Sequence, residues 1–328
     1  MSFAEIIGHK KQVKMLHLAL KTGRLHHAYL FIGPEGVGKK TLAVALAQAL
    51  HCRQKGGDFC GQCQACVAIK KNSHPDVCVI EPLPGKKEIS IQQVREVEKA
   101  LGFRSFSTSK KVAVLDPATL MNLAAQNALL KTLEEPPENC LLILIATHGG
   151  GLLPTVRSRC FHLPFASLPR QAMAAFLVAN EGKTEEAAQS LAALSQGSLG
   201  VAKDIEREGL LEKRRAWVTT LASLSAGDYR AGLAAAEELA GSRDESLTFL
   251  QWTRSWYRDL LAHAVTKNSQ EIVNIDMMSA IHQRSTETDI STLLSLFTKT
   301  GEAAARIQRN INRRMVIEEF FMALVERR

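Results

Sequence analysis

Four cysteines, Cys52, Cys60, Cys63 and Cys66, follow the pattern C-x7-C-x2-C-x2-C, and the last three lie in a polar, glycine-containing stretch. Thiolates brought this close suit one tetrahedral ion. Four sulfur ligands leave no open coordination position, so the spacing points to a structural Zn²⁺ site and not a catalytic one. An iron–sulfur cluster is the competing reading, but nothing else in the chain suggests electron transfer. Such ligands otherwise form a floppy loop, and a structural metal contributes on the order of 10 kcal/mol to local folding. Cys78, Cys140 and Cys160 sit in or beside apolar runs and read as small buried thiols.

A second chemistry is written in Gly33-Pro34-Glu35-Gly36-Val37-Gly38-Lys39-Lys40-Thr41, between the apolar run Ala28 to Ile32 and an Ala/Leu-rich helical stretch. This is a Walker A context. Glycines let backbone N–H groups turn inward around phosphate oxygens, the following helix points its positive end at them, and Lys39 supplies a point charge. The motif departs at one place. Ser or Thr belongs directly after the lysine, because its hydroxyl coordinates the Mg²⁺ that bridges the outer phosphates, yet Lys40 stands there and Thr41 comes one place late. A charged lysine cannot ligate a metal, so the site is expected to stay empty or to hold nucleotide poorly, with the Lys40 ammonium standing in for the cation.

Val112-Ala113-Val114-Leu115-Asp116 has the apolar strand and terminal aspartate of a Walker B segment, but Pro117 follows where a glutamate would activate water. Proline fixes its own backbone and restricts Asp116. Asp116 therefore has two readings, a degenerate Walker B aspartate or an ordinary aspartate at the end of a buried strand. Glu134 and Glu135 cannot work as a catalytic pair, since neighbours on a helix point about 100° apart. Pro136 ends the helix just beyond them, and they read as helix-end structure. His26 and His27 have no visible metal partners and read as packing residues.

These groups need elements to hold them. Short apolar runs at Ala28 to Ile32, Val77 to Ile80, Val112 to Leu115, Leu141 to Ala146 and Phe161 to Leu163 alternate with helical patterns, which reads as a parallel sheet covered by helices. After Pro164 the strand-like runs stop. Leu168 to about Glu208 reads as a three-helix unit broken at Glu181-Gly182 and Gly197-Ser198. From about Gly209 longer helices follow: Trp252, Trp256 and Leu260 share a face, as do Ile317, Phe320, Phe321 and Leu324, with a turn at Gly241-Ser242.

The chain of 328 residues is long enough for two or three domains, and its 46% hydrophobic content is that of a folded globular protein. A formal net charge of +8 favours acidic partners such as nucleic acid, though a solvated basic surface accounts for it equally well. The start, MSFAEIIGHKK, lacks the apolar core of a signal peptide, and the longest apolar run falls far short of the roughly 18 residues of a membrane span. A cytosolic location is expected, where a disulfide framework is not.

Ser158-Arg159-Cys160, with His26 to Phe31, the cysteine cluster, His74-Pro75-Asp76 and the run Asn127 to Pro137, resembles the delta-prime family of bacterial DNA polymerase III clamp-loader subunits, within the AAA+ architecture. The likeness is dense over the first 165 residues or so; beyond, it rests on an all-helical layout of the right length. It implies a P-loop domain over residues 1–165 with a zinc module near 52–66, a helical lid over 166–208, and an all-α collar over 209–328. It places Thr147 at the sensor 1 position, with Gly33, Gly36, Gly38, Lys39, Lys40, Thr41 and Asp116 as the rest of a degenerate nucleotide site. Glycine, in Gly197-Ser198-Leu199-Gly200, stands where motor subunits carry a sensor arginine. Arg159, which the residues alone would make a surface or salt-bridged arginine, becomes by this resemblance a finger reaching into a neighbour's ATP site. The implied partners are ATPase motor subunits, a delta-type subunit and, through the complex, the sliding clamp and primer–template DNA in the bacterial cytoplasm. The rival readings are an active motor subunit and a stand-alone zinc-dependent nucleic-acid-binding protein.

Overall fold

The five apolar runs become five parallel strands: β1 (Ala28–Ile32), β2 (Val77–Ile80), β3 (Lys111–Leu115), β4 (Cys140–Ala146) and β5 (Phe161–Pro164), in the spatial order β2-β3-β4-β1-β5. The structure is a computed structural model that describes residues 2–54, 56–102, 110–269 and 271–326. Strands β3 and β4 are buried along their whole length, which is why they read as unbroken apolar runs and not as alternating ones.

The alternation is still present, but it separates two buried faces. Tyr29, Phe31, Val112, Val114, Leu141, Ile143 and Ile145 join one core cluster, while Ala28, Leu30, Ala113, Leu115, Leu142, Leu144 and Ala146 join another. The first face is covered by α1 (Lys10–Lys21), α2 (Lys39–His51) and α3 (Gln64–Lys70), through Leu16, Leu42, Leu46 and Ile69. The second is covered by α4 (Ile91–Gly102), α5 (Leu123–Glu134) and α6 (Pro154–Ser158), through Val94, Val97, Leu129, Leu133 and Val156. Helix α5 starts where the Asn122 side chain accepts from the Ala125 amide, and it stops before Pro136.

The rest is helical: α7 (Arg170–Glu181), α8 (Glu185–Leu194), α9 (Leu199–Arg207), α10 (Leu210–Ser223), α11 (Tyr229–Leu239), α12 (Arg243–Thr266), α13 (Met278–Glu287), α14 (Ile290–Gln308) and α15 (Arg313–Val325). The chain divides into two compact units, Met1–Phe176 with Gln196–Val201, and Leu177–Ser195 with Ala202–Arg328. Residues 166–208, expected as one lid, are divided across the two. Among the described residues no helix is long and apolar enough to cross a membrane.

The second unit has its own core, in which Trp252, Trp256 and Leu260 of α12 are buried with Ile317, Phe320, Phe321 and Leu324 of α15. Helix α12 opens on a reciprocal cap between Ser242 and Glu245. A polar knot lies inside this unit. Fully buried Arg214 pairs with Asp276 at 3.2 Å and donates to Asn274 Oδ1 at 2.6 Å, while Trp252 Nε1 donates to the same oxygen at 3.1 Å. Burial pushes the Arg214 guanidinium below its usual range, and Asp276 opposes that.

Candidate functional site

Parallel pairing decides which loops meet. Strand β1 lies beside β4 in the register Ile32↔Ala146, and β3 beside β4 in the register Leu115↔Leu144. The loops leaving the carboxyl ends of β1, β3 and β4 therefore emerge on one rim of the sheet, carrying Gly33 to Thr41, Asp116 and Thr147 respectively. The set expected as a nucleotide site is gathered here.

The side chains at this rim have partners within the chain. Lys39, the first residue of α2, is 6% exposed, and its Nζ donates to Gly33 O at 2.6 Å and Pro34 O at 2.5 Å. The ammonium that should reach a phosphate is satisfied by the carbonyls of its own loop. Burial holds its pKa below the usual lysine value, against the opposing pull of Asp116 and Glu35. Lys40 Nζ is paired with Glu81 Oε1 at 2.6 Å on the surface, and Thr41 is exposed one position further round the helix. Asp116 is raised above the ordinary carboxylate range, mainly by burial, with Lys40 opposing. Thr147 is exposed.

The loop is also covered from the side of α9. Gly36 (φ +69°) accepts from the Gly200 amide at 3.0 Å, and a Cβ added to Gly200 would lie 2.8 Å from the Gly36 Cα. Glycine at 200 is therefore more than a missing cation: only a residue without a side chain allows this backbone contact. His9 Nε2, 2.8 Å from Val37 O, fixes the loop from α1. Sequence reading found the glycine but neither contact.

The cysteine cluster forms as expected. One sulfur from each of Cys52, Cys60, Cys63 and Cys66 lies within 4.8 Å of all the others, so the four can hold a metal ion. Cys52 ends α2, Cys63 caps α3, and Cys66 is buried in the first turn of α3. Backbone amides point at sulfur: Cys60 N–H donates to Cys52 Sγ at 3.4 Å and Cys63 N–H to Cys60 Sγ at 3.3 Å. Hydrogen bonds from the Arg53 and Cys66 backbone bring Cys63 down to about 6, whereas burial pushes Cys66 up to about 12. A thiolate already favoured and a buried thiol that needs a cation to ionise are a donor set that fits a metal. Phe59 packs edge-on to Phe3 at 5.4 Å, and Gln48 Nε2 donates to Cys66 O at 2.8 Å, tying the module to the sheet domain.

His51, His74 and Asp76 form a second close group. His74 Nδ1 accepts from the Asp76 amide at 3.1 Å, which leaves the proton of the neutral ring on Nε2. The three could hold an ion by proximity, and the hydrogen bond between His74 and Asp76 together with the His51–His74 ring contact at 4.6 Å also accounts for their closeness. Burial raises the thiol pKa of Cys78, Cys140 and Cys160, as it does for inert core cysteines. His27 Nε2 meets Leu133 O at 3.2 Å, a packing role.

Arg159 lies elsewhere. It caps the end of α6 just before β5. Because Phe161 pairs with Tyr29 and Pro164 with Ile32, the start of β5 lies by the start of β1, and the P-loop leaves β1 at its far end. The guanidinium is thus on the opposite rim from the loop of its own chain. Its Nη1 donates to Thr155 O at 3.0 Å, and its Nη2 pairs with Glu134 Oε1 at 2.6 Å, with 35% of the side chain exposed. The structure shows the salt-bridged surface arginine that the residues alone suggest, with Glu134 as the partner that sequence reasoning missed. Arg157, two residues earlier, is tucked against Gly149 O at 3.5 Å.

Known proteins are similar to this chain over most of its length. Residues 8–169 match the family model described as DNA polymerase III, delta subunit, and residues 208–326 match that described as DNA polymerase III, delta subunit, C terminal. DNA polymerase III subunit gamma/tau of Mycobacterium tuberculosis is 38% identical over 54% of this chain, which spans only 30% of that longer protein. DNA polymerase III subunit delta' of Escherichia coli is 28% identical, covering 93% of this chain and 90% of its own. The delta' subunit of Pseudomonas aeruginosa is 32% identical, over 89% of both chains. With most of its length matched in this way, the chain belongs to the DNA polymerase III subunit delta' family.

Proposed function

We propose that this chain is a non-hydrolysing clamp-loader subunit that lends Arg159 to the ATP site of an adjacent motor subunit. One observation carries the reading. The P-loop lysine is spent on its own loop at one rim of the sheet, while an accessible arginine stands at the other, where it cannot serve that loop. A guanidinium set against transferring phosphate offsets charge that builds up as the bond breaks, and in well-studied GTPases this is worth roughly 10³ to 10⁵ in rate.

Three losses agree that the chain's own site is retired. Lys40 takes the place of the metal-binding hydroxyl, Pro117 that of the water-activating glutamate, and Gly200 that of the sensor arginine. The cysteines are read as a structural zinc site, where the ion would be held by four thiolates and supply rigidity without chemistry. The helices over 166–208 are read as a lid and those over 209–328 as a collar. The partners on this reading are gamma/tau-type motor subunits and a delta-type subunit, with the sliding clamp and primer–template DNA reached through the complex in the cytoplasm. The test is DNA-stimulated ATPase of the loader reconstituted with Arg159→Ala. Assembly should be intact and turnover low; unchanged turnover removes the finger, and brisk hydrolysis by the isolated chain makes it a motor.

A further inference from the structure

We propose that Glu134 is a positioning residue for Arg159: its carboxylate, 2.6 Å from Nη2, presets the guanidinium that the neighbouring ATP site receives. The inference rests on the finger reading above and adds to it the group that aims the finger.

The argument starts from the flexibility of arginine. A long side chain at a helix end samples many rotamers, and a group that must meet phosphate oxygens loses rate when it is misplaced by about 1 Å. Two contacts restrict this one. Thr155 O takes Nη1 at 3.0 Å from within α6, and Glu134 takes Nη2 from another helix. With the carboxylate gone, the hydrogen bonds left to the guanidinium among the described residues are those to the Thr155 carbonyl and, at 3.5 Å, to Ser158 Oγ, both close in sequence.

Both anchors are rigid. Leu129 and Leu133 of α5 are buried in the same core cluster as Val156 and Cys160, which flank Arg159. The last turn of α5 is also pinned to the start of β1, where His27 Nε2 meets Leu133 O at 3.2 Å. The backbones that carry Glu134 and Arg159 are therefore held by one packed core. Glu135, at the C-cap, makes no ion pair among the described residues, so the aiming is specific to one of two adjacent acids. The pair is also well placed to yield. Arg159 is 35% and Glu134 51% exposed, so water and an incoming phosphate can compete for the guanidinium.

The experiment is steady-state, DNA-stimulated ATPase of the reconstituted loader, resolved into kcat and KM for ATP. Glu134→Gln is isosteric and should lower kcat roughly tenfold while KM stays within about twofold, because orientation and not ground-state binding is lost. Glu134→Asp should restore part of kcat, and Glu135→Gln, the same charge change one residue away, should match wild type. In an Arg159→Ala background, Glu134→Gln should cost nothing further, since it acts only through the arginine. A Glu134→Gln loader at or above wild-type kcat overturns the proposal, as does a loss that persists when Arg159 is already alanine. If Arg159→Ala itself leaves kcat unchanged, the finger reading has failed instead, and the two failures are told apart within one set of assays.

Discussion

Lys39 and Arg159 are both cations placed beyond the ends of parallel strands, one at each rim of the same sheet. Lys39 is 6% exposed and donates to two carbonyls of the loop that carries it. Arg159 keeps 35% of its side chain open and is held by one carboxylate from another helix. On the function proposed above, the difference separates a retired site from a working one in physical terms. A buried charge whose hydrogen bonds are completed internally has become part of the fold, while a partly exposed one, held by a surface carboxylate and one carbonyl of its own helix, stays open to competition from a ligand.

The comparison can be stressed in several ways, the largest effect coming from the ion that the four cysteines are proposed to hold. Helix α2 runs from Lys39 to the cysteine module, so chelation asks whether the Lys39 rim depends on the clip at its other end. Stripping the metal should remove on the order of 10 kcal/mol from the module, and hydrogen exchange should speed up across 52–70 while α5 and β5 stay protected. The pH dependence follows from the thiols. Cys63 is depressed to about 6, so its thiolate, and the stability it lends, is present above the unfolded thiol value and is lost as pH falls through about 6. Cys66, at about 12, must release its proton when the ion binds, so affinity measured by competition should fall as pH drops from 8 to 6 and most steeply near its lower end.

Lys39→Met sharpens the comparison directly. It leaves two loop carbonyls without their donor, and the denaturation midpoint should report a loss of about 1–3 kcal/mol for each group that stays dry. Arg159→Ala should change stability by less than about 0.5 kcal/mol. Gly200→Ala places a methyl group against the Gly36 backbone at 2.8 Å, and overpacking of this kind costs about 1–3 kcal/mol in the same assay. A small effect is expected from Lys40→Thr, which puts a hydroxyl directly after Lys39 and breaks an exposed pair with Glu81. Stability should move by less than about 1 kcal/mol. Calorimetry should find no Mg²⁺-dependent ATP binding, because Lys39 and Gly200 still close the loop; tight binding would mean that the hydroxyl alone was lacking.

Much of the first unit is readable in the residues. Continuous apolar runs gave strand limits within a residue or two because these strands are buried on both faces, and cysteine spacing is a direct statement about reach. The side-chain states are not readable. Nothing in the order Lys39-Lys40-Thr41 says that the first lysine turns back, since loop torsions decide it. Glu134 reads as helix-end structure in the sequence because 25 positions separate it from Arg159 and only the fold brings them together. The Arg214 knot was missed for a related reason: periodic patterns reveal apolar stripes, whereas one buried cation with distant partners leaves no period.

The measurement that bears most directly on the account is ATP hydrolysis by the reconstituted loader, with Lys39→Met and Arg159→Ala assayed side by side. The account predicts that Lys39→Met keeps turnover within about twofold, while Arg159→Ala lowers it about 10³-fold at the site it serves. A loader silenced by Lys39→Met and indifferent to Arg159→Ala would contradict it.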